Sequence, residues 1–139
     1  MLGRQIVMPK VRSRLLAVVV SMYVIGAASY AWGLWRNGLV GVLLLSGAPG
    51  YVLAAHWFVA LAAGPFGCVQ LWRGRPSGRI ACIAVVVSGL VLDVVLYLLA
   101  DAGQWLAQLP SITPKTAMLL LLAFGLREQR HKLSDATAA

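Results

Sequence analysis

The chain has 139 residues, of which 60% are hydrophobic and only 12% charged, with a formal net charge of +8. Soluble domains are nearer half apolar and about a quarter charged, so this composition and a mean hydropathy of +0.83 exclude an ordinary soluble domain. The positive charge does not point to nucleic acid, because the Lys and Arg residues flank apolar blocks and no RNA- or DNA-binding module is present.

Arg4, Lys10, Arg12 and Arg14 lead into the first predicted span, 15–35. A run of about twenty apolar residues, at about 1.5 Å per residue, covers a hydrocarbon core of roughly 30 Å. The basic start and Ser29-Tyr30-Ala31 also have the layout of a cleaved signal peptide. The apolar run continues past an h-region's length to Trp32 and Trp35, which fit an interfacial belt, so a span is the preferred reading. Next comes "RNGLVGVLLLSGAPG". Its segment 38–50 is apolar but too short to span, and is expected on the outer side, lying in the interface, re-entering the bundle or docking on a partner.

The second span is 51–72. Ala60-xxx-Gly64 and Ala63-xxx-Gly67 are small-residue pairs that permit close helix approach, and Gly64-Pro65 predicts a static bend near Leu61. Arg73, Arg75 and Arg79 follow in the loop "RGRPSGR", where they are expected to meet anionic lipid headgroups. The third span is 80–100. "DAGQWLAQLPSITPK" reads as an outer loop with a short amphipathic piece near Trp105. Thr113-Pro114 has the form of a helix start, a capping hydroxyl before proline, so the fourth span is placed at 114–132, its short apolar centre extended by snorkelling of Arg127, Arg130 and Lys132. Residues 127–139 form the tail.

Ten of the twelve basic residues fall on one side of this layout, and only Arg36 and Lys115 on the other. By the positive-inside rule both termini and the 73–79 loop are cytoplasmic. The expected fold is an all-α integral membrane protein, a compact antiparallel bundle of four transmembrane helices forming a single domain over 1–139, in a bacterial-type cytoplasmic membrane.

Depth along the spans selects candidate site residues. Asp93 lies about 10 Å and His56 about 8 Å below the outer surface, counted at about 1.5 Å per residue, and Ser29 and Tyr30 fall at similar depth. Cys82, Val86, Gly89, Asp93 and Tyr97 share one stripe, as do His56, Ala60, Ala63, Gly67 and Gln70. Asp93 is therefore expected to face inward and to hydrogen-bond His56, with Tyr30 or Ser29 as a third member. Trp32, Trp57 and Tyr97 are candidate pocket aromatics beside this cluster. An intramembrane acid is a functional candidate, yet a neutral or paired Asp93 that fixes helix register is the favoured role. Cys68 and Cys82 read as packed small hydrophobes, since a cytoplasmic disulfide is disfavoured and no metal spacing is present.

The four-span layout, the arginine-rich loop between spans two and three and the basic end of the last span resemble small bacterial inner-membrane proteins with an RGRxWAR-like loop. Here the loop is "RGRPSGR", without the Trp-Ala, and the resemblance implies no activity. No nucleotide loop, catalytic triad or carboxylate pair is present, so no cofactor is predicted and enzymatic chemistry is not the leading expectation. Two functions are expected. One is a non-catalytic subunit or assembly factor of a membrane complex, bound to lipid and to another membrane protein or to itself. The other is a proton-linked carrier or binder of a lipophilic ligand, a quinone or lipid, using Asp93 and His56.

Overall fold

The computed structural model describes residues 3–99 and 111–125. Its helices are α1 (Gly3–Arg36), α2 (Val40–Leu45), α3 (Ala48–Trp72) and α4 (Pro76–Leu99), followed by α5 (Ser111–Gly125). The described residues contain no strand. Val11–Arg36, Ala48–Trp72 and Pro76–Leu99 are long and apolar enough to cross a membrane, whereas Ser111–Gly125 is shorter. Over the described residues the chain is all-helical, and its three long apolar helices mark it as a membrane protein.

Glycine ends two of the long helices. Gly38 and Gly74 have φ of 67° and 74°, the left-handed conformation that closes a helix when no Cβ intervenes. Leu39 N–H bonds Leu34 O at 2.9 Å and Arg75 N–H bonds Gln70 O at 2.9 Å, each the outer bond of that closing turn. Proline begins the next helix: Pro49 lies in the first turn of α3, and Pro76 opens α4, where its missing N–H is not needed.

The helices overrun the predicted spans. α3 starts at Ala48, so the expected outer segment divides into the short α2 and the first turn of α3. α5 includes Ser111–Thr113, so Thr113-Pro114 does not begin it. Pro65 sits inside α3 without ending it. The piece near Trp105, the end of the fourth predicted span and the tail 127–139 lie outside the described residues.

α3 packs against both α1 and α4. His56 meets Ser88, Gly67 meets Cys82, and Gly78 meets Leu71, so contacts close toward the turn at 73–75. These approaches depend on absent side chains. A Cβ at Gly64 would lie 2.7 Å from Val24, one at Gly67 3.0 Å from Cys82 Sγ, and one at Gly78 inside the backbone of Leu71. Leu16, Val20, Val24, Ala60, Val85, Val86, Met118 and Leu122 form one core drawn from α1, α3, α4 and α5. The outer surface is apolar as well, with Met22, Ile25, Phe58, Phe66, Leu98 and Phe124 exposed. Burial is then no longer driven by excluding water, and close packing and polar contacts sort the faces.

Gly78 and Gly26 provide a matched test of the helix contacts. Gly78→Ala forces the α3–α4 turn apart and should destabilise the protein by about 2–3 kcal/mol. Gly26 has nothing within 4 Å of a built Cβ, so Gly26→Ala should leave stability unchanged or slightly raised. Thermal melts of both variants in one detergent check this; equal melting temperatures would remove the tight α3–α4 contact as a determinant of the fold.

Candidate intramembrane polar site

α1, α3, α4 and α5 each send polar side chains into one layer of the bundle. On α5, Ser111 and Lys115 are four residues apart and therefore share a face; Met118, Leu122 and Gly125 continue that stripe and are buried. On α4, Asp93 faces them and is only 4% exposed. Lys115 Nζ donates to Asp93 Oδ2 at 2.6 Å and to Ser111 Oγ at 3.1 Å. Ser111 Oγ donates to Asp93 Oδ1 at 3.2 Å. The triangle occupies both carboxylate oxygens. The ammonium also lies 5.7 Å from the Tyr23 ring centroid, within cation–π range.

His56 forms the second half of the layer. Ser88 Oγ donates to Val85 O at 2.8 Å, so its hydroxyl hydrogen is committed and its oxygen accepts from His56 Nδ1–H at 2.9 Å. His56 Nε2 is then the acceptor for Tyr23 O–H at 3.1 Å. The hydrogens thus run in one direction, from Tyr23 through His56 to Ser88 and the Val85 carbonyl. Gly89 admits the crossing, since a Cβ there would strike the Tyr23 hydroxyl and lie 3.3 Å from His56 Cε1. Tyr23 joins the two halves, its hydroxyl toward His56 and its face toward Lys115.

Asp93 and His56 therefore share a layer but use different partners: the expected Asp93–His56 bond is replaced by Asp93–Lys115 and His56–Tyr23. Ser29 and Tyr30 are exposed; Tyr30 instead sets its ring edge-on to Trp57, with centroids 6.1 Å apart. Trp32 and Trp57 do come together, with Trp35, Val40 and Leu61, around an open apolar groove of about 630 Å³. Tyr97 does not line it.

Arg73 and Arg75 are exposed at the α3–α4 turn, but Arg79 is 6% exposed and turned inward. Its Nη2 donates to Ser13 Oγ at 3.3 Å, and its guanidinium fills the space where Gly125 lacks a side chain. Arg79 is thus a tie between α1, α4 and α5, placed about 20 Å from Asp93 along α4 at about 1.5 Å per residue. Lys115 and Tyr23 were not among the residues singled out from the sequence. The repeat of Ser111, Lys115, Met118, Leu122 and Gly125 at alternating four and three carried the signal for Lys115; Tyr23 stands in register with Val20 and Ala27.

Among the described residues, no group of three or more His, Cys, Asp or Glu side chains converges as a metal site would require. Cys68 and Cys82 are free thiols. The chain matches no protein-family model, no curated protein and no solved structure.

The ion pair predicts strong coupling. Lys115→Met leaves the Asp93 carboxylate buried with Ser111 alone and should lower stability by about 3 kcal/mol, whereas adding Asp93→Asn should restore most of that loss. Tyr23→Phe removes one neutral hydrogen bond and should cost only about 0.6 kcal/mol. A double-mutant cycle read by unfolding in mixed micelles measures both effects; additive losses at Asp93 and Lys115 would show that the pair contributes nothing to holding α4 and α5 together.

Proposed function

We propose that the chain spans a bacterial-type cytoplasmic membrane four times as an antiparallel bundle, with both termini cytoplasmic, and serves as a non-catalytic subunit or assembly factor of a larger membrane complex. The observation that carries this reading is α2. Val42 and Leu45 are 65% and 88% exposed, Leu39 and Leu44 are exposed beside them, and none of the six residues of α2 is buried. This apolar ledge continues through Val40 into the tryptophan groove. A neighbouring membrane protein would cover both at once. The ten-to-two distribution of basic residues supports the orientation.

The groove itself favours a second reading, a carrier or binder of a lipophilic molecule. Three indole rings around an open apolar space, with Trp57 next in the chain to His56 of the polar layer, suit an aromatic or long-chain ligand. In that role Asp93 and His56 would be the groups that sense the ligand or its proton.

Purification from native membranes in mild detergent separates the two. Wild type should retain a stoichiometric protein partner that Leu45→Glu releases, since a charge on the ledge opposes an apolar contact. Isolation of a stable, partner-free chain carrying a bound small molecule, lost on Trp57→Ala, would replace the subunit reading with the ligand reading. A green fluorescent protein fused after Ala139 should fluoresce, as only a cytoplasmic carboxyl end allows; a dark fusion alongside an active phosphatase fusion would reverse the topology.

A further inference from the structure

The Lys115 head group sits in what is chemically a receptor for an organic ammonium ion. A carboxylate at 2.6 Å, a hydroxyl at 3.1 Å and an aromatic face 5.7 Å away surround one nitrogen. Charge-assisted hydrogen bonds and a π face recognise an alkylammonium together. The set is poor for a bare metal ion, because Asp93 and Ser111 offer three oxygens where hard cations take six or more.

Most of this receptor is held without Lys115. Tyr23 is fixed by His56, and His56 by Ser88. Gly89 leaves the space that the Tyr23 hydroxyl occupies. Asp93 lies on α4 and keeps Ser111 as a donor. Lys115 is the one member with a long unbranched stem. Its side chain is 12% exposed, it stands one turn from Ser111, and such a stem can carry its charge outward to an interface.

We propose that this layer is a binding site for a lipophilic primary ammonium, with Lys115 as its resident competitor. The ligand's –NH₃⁺ replaces the lysine's on Asp93 Oδ2 and over Tyr23, its alkyl part lies in the apolar bundle, and the displaced Lys115 extends toward the outer surface. One monovalent cation exchanges for another, so Asp93 remains neutralised and no proton or electron is transferred. The site concerns this chain alone and is independent of whether the chain also serves a complex.

The experiment is tryptophan-monitored melting of the purified full-length chain in nanodiscs, titrated with n-hexylammonium and, as a control, with n-hexanol. Wild type, Lys115→Met and Lys115→Met/Asp93→Asn are compared. Hexylammonium should raise the melting temperature of Lys115→Met at a concentration at least tenfold below that needed for wild type. The double variant should not respond, and hexanol should act equally and weakly on all three. If Lys115→Met does not fold on its own, hexylammonium during reconstitution should recover it. A folded Lys115→Met that ignores hexylammonium, an unfolded one that is not recovered, a wild type that never responds, or a double variant that responds as strongly as the single one would each overturn the proposal.

Discussion

Hydrocarbon offers no hydrogen bonds, so a polar atom carried into this bundle is costly unless another part of the chain answers it. The Lys115–Asp93 contact is the most demanding case. Either charge alone costs up to about 2.5–3.5 kcal/mol on insertion scales, the value for a helix centre; at 2.6 Å apart they cancel. The rest of the polar layer follows. Ser111 takes the remaining carboxylate oxygen, Tyr23 turns its face to the ammonium and its hydroxyl to His56, and His56 passes its own hydrogen to Ser88. Four helices are tied by groups of which none is left to find a partner in lipid.

A second tie lies toward the other end of the bundle. Arg79 reaches Ser13 on α1 and rests on Gly125 of α5. Between the two ties the contacts are small and apolar: Val20, Val24, Ala60, Val85, Val86 and Leu122. Where lipid is as apolar as the core, such residues specify position through fit rather than through dislike of water. Gly64, Gly67 and Gly78 set how near the backbones come, and the polar layers set which rotation of each helix is used.

Much of this was legible in the residues. Continuous apolar blocks identify helices α1, α3 and α4, and the three-and-four spacing of Cys82, Val86, Gly89 and Asp93 gives the inward face of α4. Depth counting places Asp93 and His56 at one level. Partner choice was not legible, because depth fixes height but not azimuth. Tyr30 lies at the right height on α1 yet its ring packs outward on Trp57, while Tyr23, two turns earlier, enters over Gly89. Lys115 was obscured by its own charge: at the second position of the predicted fourth span it reads as an outer end charge, and only the inclusion of Ser111 in α5 carries it a turn into the helix. Arg79 was obscured in the same way by Arg73 and Arg75, since a cluster of arginines reads as one interfacial patch. The glycine that receives it, Gly125, stands 46 positions away in the sequence.

The pairing of α4 with α5 also bears on how the chain enters the bilayer during synthesis. Asp93 is made before Lys115, so for a time the acid has no counter-charge. The helix that carries it is the most apolar of the three long ones, and its many valines and leucines outweigh a single carboxyl group. α5 is short, carries a lysine, and is the least able to partition by itself. It arrives to find a carboxylate waiting at one end and a guanidinium at the other. Order of synthesis and helix length thus agree for this pair: the long apolar helix is made first, and the short one would meet charges already in place.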